Sequence, residues 1–179
     1  AMMKSVGWQG SLPWCAWYVK IIYMQLYSFD RDWLSKNIGG GAVNNLYNVQ
    51  NLNAMGDKRY IAFTKNEKPQ VGDVFCMGVS GNGHTGIVTE VLSQSGNGWN
   101  VKTIEGNTND KGVREGYRTQ YKQRTLEIGK LSGGQVMKGY WRRNFTEQEL
   151  AKISYDESQG TYVMRKGTLQ TPIGEVPVY

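Results

Sequence analysis

Cys15, His84, Glu105 and Asn107 are the residues whose types and spacing suit nucleophilic chemistry in this chain. The sequence has 179 residues with two cysteines and one histidine, so a thiol activated by an imidazole must use His84. The residues from His84 onward alternate in character, and so do those from Trp99 onward, as in strands with one face buried. Side chains in a strand alternate between faces. His84, Gly86, Val88 and Glu90 therefore share one face, and Trp99, Val101, Thr103, Glu105 and Asn107 share another. A turn centred near residue 95 makes the paired positions of an antiparallel hairpin sum to about 190. That places His84 opposite Glu105 or Asn107, with Cβ atoms roughly 5 Å apart if directly opposed and roughly 7 Å apart on the diagonal.

Cys15 enters from a different element. Ser11-Leu12-Pro13 reads as a helix start, because Ser caps well and Pro is tolerated in a first turn. The run from Trp14 to Tyr27 is apolar almost all round, which predicts a helix buried on most sides. A thiol in its first turn meets the positive end of the helix dipole, which favours the reactive thiolate. A helix N-terminal Cys, a strand His and a third polar group orienting the ring make up the logic of a cysteine hydrolase. Backbone N–H groups at the helix start would face the oxyanion. Taken singly, each residue has a plainer explanation: a Cys among aromatics is ordinarily a small buried hydrophobe, and Cys76 in Val74-Phe75-Cys76-Met77 fits that description. Their joint placement favours chemistry.

The remaining elements must position these groups. Asp30 to Lys36 predicts one or two helical turns, and Ala42 to Met55 a second helix. Gly39-Gly40-Gly41 between them reads as a flexible connector rather than an anion cradle, since no P-loop lysine follows. Val71–Val79, His84–Leu92 and Trp99–Glu105 predict three strands, separated by Ser80-Gly81-Asn82-Gly83 and by the turn residues 93–98. Further strands are expected near Val113–Tyr117 and Val136–Arg143. Helices followed by an antiparallel meander make an α+β fold. After residue 145 a short helix is expected at Glu147–Ile153. Glycines and prolines then break up regular structure, in an extension that packs on the main domain or mediates a contact.

Composition narrows the partners. The net charge of +6 and a pI near 9.3 suit polyanions, but the charges are scattered and no nucleic-acid motif stands out. With so few Cys and His residues a zinc site of that type is not expected, and no other metal or cofactor is. No apolar run is long enough to span a membrane, and no export signal is visible.

Several segments together resemble a known family. Pro13-Trp14-Cys15-Ala16-Trp17-Tyr18-Val19 looks like the nucleophile motif of CHAP domains, within the wider NlpC/P60-like group. Pro69-Gln70-Val71-Gly72-Asp73-Val74 is similar to the entry strand before the family's histidine, with a spacing looser by about a residue. Gly83-His84-Thr85-Gly86-Ile87-Val88 looks like the histidine strand, Ile104-Glu105-Gly106-Asn107-Thr108-Asn109 resembles the E-G-N segment, and Gly139-Tyr140-Trp141-Arg142 is like the closing strand. The resemblance runs from Gly10 to Arg143 with its motifs in family order. It implies a papain-like α+β fold, with N-terminal helices packed on an antiparallel sheet, in a catalytic domain at 1–145 followed by an extension at 146–179. It also implies cleavage of a peptidoglycan amide bond, in the stem peptide or cross-bridge, by an amidase or endopeptidase. Cys15 would be nucleophile, His84 base, Glu105 the orienting residue and Asn107 a further polar member. The implied setting is secreted, extracytoplasmic or phage-derived, and the protein is expected to be a monomer without nucleic acid as a partner. An immunity or delivery partner is left open. Two other readings stay open: acyl transfer through the same triad, and a non-catalytic wall-binding or structural module that keeps the fold, against which the intact Cys15, His84 and Glu105 set argues.

Overall fold

The computed structural model describes residues 3–10, 12–79, 82–108, 118–164, 168–171 and 174–177. Three helices come first: α1 (Cys15–Leu26), α2 (Arg31–Asn37) and α3 (Ala42–Ala54). A sheet follows, built from β1 (Tyr60–Phe63), β2 (Val74–Val79), β3 (Asn82–Ser95), β4 (Gly98–Thr108), β5 (Arg118–Leu126), the two-residue β6 (Leu131–Ser132) and β7 (Gln135–Arg143). The expected α+β class is what the chain adopts. The strands β2, β3, β4 and β5 form a meander, and the sheet continues on the other side of β2 through β7 to β1, with every pair antiparallel. Strands β1 and β5 were not anticipated. The strand expected at Val113–Tyr117 lies outside the described residues, as do Ser80, Gly81 and the proposed cap Ser11. No helix among the described residues is long and apolar enough to cross a membrane.

Alternation along the strands sends side chains to two apolar layers. One face gives Tyr60, Val74, Cys76, Ile87 and Trp141 to a layer shared with Val19 and Tyr23 of α1, Leu34 of α2, and Leu46 and Val49 of α3. The other gives Phe75, Met77, Val88, Val101, Leu126, Met137 and Tyr140 to a layer made by strands. Fully burying a side chain of this kind stabilises by about 1.5–3 kcal/mol. Polar groups within the layers are tied down. The Tyr23 hydroxyl donates to the Gly72 carbonyl, and Arg142 pairs with Asp73 at 2.7 and 2.9 Å. Burial nevertheless pushes the Asp73 carboxyl up to about 6, against the pull of the Gln70 backbone and Arg142.

Gly39–Gly41 is no slack connector. The Asn45 side chain accepts from Gly39 N at 2.8 Å and donates to Gly39 O at 3.0 Å. Any Cβ on Gly40 would come within 2.7 Å of the Trp17 ring. A glycine run is permissive only until its backbone groups find partners, and here a buried amide supplies them.

The chain after residue 145 is more regular than its glycines and prolines suggested. Helix α4 (Glu147–Lys152) opens with a reciprocal capping box between Thr146 and Glu149. Two hairpins follow, β8 (Ile153–Asp156) with β9 (Thr161–Met164), and β10 (Thr168–Thr171) with β11 (Gly174–Pro177). Gly160, at φ +62°, serves the first turn. The β8–β9 hairpin packs on the end of α1, where Tyr162 stacks on Tyr27 at 5.7 Å between ring centroids and Thr161 Oγ1 donates to Leu26 O. Helix α4 is anchored by Arg143. Its guanidinium donates to Asp30 at 2.5 Å and to Glu149 at 2.8 and 3.2 Å, and its carbon lies 4.5 Å from the Phe145 ring centroid. Tyr60 completes the cluster, donating to Asp30 at 3.0 Å.

Arg143 and Asp30 are almost wholly enclosed. Removing Asp30 would leave the enclosed Arg143 with Glu149 alone and deprive Tyr60 and Arg59 of their carboxylate, and breaking a buried pair costs up to about 3–5 kcal/mol. Asp30→Ala should therefore lower the unfolding free energy by about that much in urea titration. A loss below about 1 kcal/mol, typical of an exposed pair, would show that the cluster is dispensable.

Candidate active site

Cys15 is the first residue of α1 and is buried. The preceding residue, Trp14, has φ −115° and ψ 12° and provides no side-chain cap. The amides of the first helical turn have no partner within the helix, so they form a donor set beside the thiol. The thiol sulfur lies 4.0 Å from Gly83 O, at the start of the strand that carries His84. Close approach of the helix depends on Gly106 in β4, where any Cβ would come within 2.8 Å of Tyr18 and Trp14.

His84 is mostly enclosed and its Nε2 lies 2.7 Å from Glu105 Oε2. An ionised carboxylate only accepts hydrogen bonds, so Nε2 carries the proton and Nδ1 is left for the ring's other partner, the Cys15 thiol. Gly86 makes room for this contact, because a Cβ there would lie 2.7 Å from Glu105 Cγ and 2.8 Å from Phe75. Burial disfavours the charged ring, but hydrogen bonds and charges from Cys15 and Glu105 outweigh it and raise the His84 pKa above its ordinary value.

Glu105 is completely buried. Its Oε1 accepts from Thr103 Oγ1 at 2.6 Å and from Arg124 Nε at 2.5 Å, and its Oε2 accepts from Arg124 Nη2 at 2.7 Å as well as from His84. Burial alone would raise this carboxyl. Hydrogen bonds from Arg124 and His84, with their charges, instead hold it well below the usual carboxylate range. Asn107 is also buried and sits in the bulge between Glu105 and Thr108, with φ +57°. It is the only non-glycine with positive φ among the described residues. Asparagine tolerates this region better than most residues.

Cys15, His84 and Glu105 are thus brought together, with Asn107 two residues beyond Glu105. The hairpin register explains the agreement with the strand-parity estimate. The turn is the pair Gly96–Asn97, later than the assumed centre, and two bulges in β3 absorb the offset before Ile87 pairs with Ile104. Arg124 and Thr103 went unrecognised. The signal for Arg124 was its even spacing with Arg118, Gln120 and Lys122, which share one half-buried face of β5. Cys76 lies in the sheet interior and burial pushes its thiol up to about 12. Among the described residues no group of three or more His, Cys, Asp or Glu side chains could hold a metal ion.

The CHAP domain model matches residues 7–107 of this sequence. The chain belongs to the CHAP domain family, whose members are generally amidases and peptidases associated with peptidoglycan. Searches of curated proteins and of solved structures each return no match.

The two shifts set opposite pH limits on stability. A depressed carboxyl stabilises the fold above its unfolded value, and that contribution is lost as pH falls through the folded one. For Glu105 the loss begins below about 4.5. A raised imidazole stabilises below its unfolded value and loses that contribution as pH rises through the folded one, so the loss for His84 begins above about 6.5. The stability gap between the wild type and Glu105→Gln should be widest between these values and narrow on both sides. Urea unfolding from pH 3 to 9 measures it, and a gap independent of pH would disprove the coupling.

Proposed function

We propose that this protein is a peptidoglycan hydrolase that cleaves a wall amide bond through a Cys15 thioester, as an amidase or an endopeptidase. The observation that carries the reading is the convergence of a helix-start thiol, a single histidine and a buried carboxylate 2.7 Å from its ring. Residues 1–145 hold the whole catalytic set, and the same family reading favours a secreted or phage-derived setting.

In this reading His84 Nδ1 takes the Cys15 proton, and the thiolate attacks the carbonyl carbon of the scissile amide. The charge that develops on the carbonyl oxygen faces the amides of the first turn of α1. His84, now an imidazolium supported by Glu105, gives its proton to the departing amine as the C–N bond breaks. Water then attacks the thioester with His84 again as base, releasing the carboxylic acid and restoring the thiol. Asn107 is the further polar member of the set.

Incubating the protein with purified sacculi and identifying the released fragments by mass tests the reading and names the bond. A new amine and a new carboxylate at one amide position support it, whereas intact sacculi at high enzyme concentration refute it. Cys15→Ala should lower release by about 10³-fold or more while leaving the melting temperature nearly unchanged. Cys76→Ser should retain turnover and lose some stability.

Glu105→Gln and Asn107→Ala separate the roles of the two polar members. Glu105→Gln should reduce turnover sharply, since the carboxylate both orients the imidazole and stabilises its charged form. Should Asn107 prove essential and Glu105 dispensable in the same fragment assay, Asn107 would be the orienting residue.

A further inference from the structure

Glu105 has a second partner that the proposed reaction does not touch. Arg124 lies on β5, where Gln120, Lys122 and Arg124 stand opposite Glu105, Thr103 and Val101 of β4 in turn. The arginine therefore reaches back along its strand to meet Glu105, and it does so with a fork, Nε on one carboxylate oxygen and Nη2 on the other. Its guanidinium carbon is 5.6 Å from the Phe75 ring centroid, and the His84 ring lies 6.1 Å from that same ring. Phe75 is thus a common wall for the base and the arginine.

We propose that Arg124 is a positioning residue of the catalytic set, its guanidinium fork clamping Glu105 so that the carboxylate holds His84 in the orientation that Cys15 requires. The inference rests on the reading of Cys15 and His84 as nucleophile and base. A carboxylate without solvent must be paired and fully hydrogen-bonded to stay charged. Two of the four hydrogen bonds that reach Glu105 come from Arg124, and only one goes to His84. A bidentate fork fixes the plane of the carboxylate as well as its charge, which a lysine cannot do. The charged and titratable groups facing the Glu105–His84 pair are Cys15 from α1 and Arg124 from β5, with Lys122 and Arg118 further along the same face of β5. Thr103 donates from β4 itself, and β2 presents the uncharged Phe75. Without Arg124 the carboxyl would take up a proton at higher pH, and the imidazole would lose its support on the acid side.

The test uses the full chain in a Cys76→Ser background, where Cys15 is the only thiol. Its alkylation by iodoacetamide is followed across pH, alongside turnover on sacculi. Arg124→Met should move the acid limb of the alkylation profile to higher pH and lower turnover roughly 10- to 100-fold, the size seen when an outer partner that orients a reacting ligand is lost. Arg124→Lys should recover part of both. Adding Arg124→Met to Glu105→Gln should cost little more than Glu105→Gln alone, because both act through one contact.

A folded Arg124→Met with the wild-type alkylation profile overturns the proposal, as do losses that multiply in the double variant. If Arg124→Met does not fold, Arg124→Lys decides: a wild-type profile and wild-type turnover there also overturn it. Alkylation needs no wall substrate, so a shifted profile in a protein that leaves sacculi intact sustains the positioning role while refuting the hydrolase reading. Cleaved sacculi with unshifted alkylation do the reverse.

Discussion

A negative charge with no access to water is the constraint around which this site is arranged. Glu105 is completely enclosed, and an isolated carboxylate in such a place would neutralise itself rather than remain charged. The surrounding residues prevent that. Strand parity turns Thr103 and Glu105 to the same face, the neighbouring strand supplies a guanidinium, and the remaining acceptor capacity goes to His84. Gly86 is small because the carboxylate stem occupies the space its side chain would need. The imidazole gains a fixed tautomer and a counter-charge from a carboxylate that is not exposed to solvent.

The site also joins the two apolar layers of the protein. Helix α1 belongs to the layer on one face of the sheet, while Glu105, Thr103 and Phe75 belong to the other. Cys15 meets His84 where the start of α1 passes the beginning of β3, and Gly106 permits the approach. Placement distinguishes the two thiols of the chain. Cys76 lies mid-strand among apolar neighbours and next to Thr85, where burial holds it protonated. Cys15 lies at a helix start with an imidazole beside it.

Much of this was legible in the sequence. The residues of α3 and β2 to β4 carry periodicity, α1 is apolar almost all round, and parity with a turn assumed near residue 95 put His84 opposite Glu105 or Asn107. The estimate of register succeeded because two bulges offset a misplaced turn, which alternation cannot reveal. Arg124 was less visible, since a lysine- and arginine-bearing strand with an exposed alternate face reads as a solvated surface. Its role emerges only when β5 pairs with β4. Gly39–Gly41 misled for a related reason: glycine reports freedom in the chain, whereas the Asn45 amide that removes it becomes a neighbour through α3. The β8–β9 hairpin is short, and Tyr162 and Thr161 tie it to Tyr27 and Leu26, more than a hundred residues earlier.

Arg143 has a consequence for moving this CHAP domain into another protein. The residue ends β7, yet its guanidinium is shared between Asp30 beside α2 and Glu149 in α4. A graft cut at the end of β7 would carry the arginine and leave one of its two carboxylates behind, while also baring the Tyr27 ring that Tyr162 covers. The smallest portable piece with these contacts intact therefore extends through β9 to Met164, well beyond Asn107. Fusions are better joined after that hairpin than at the edge of the sheet.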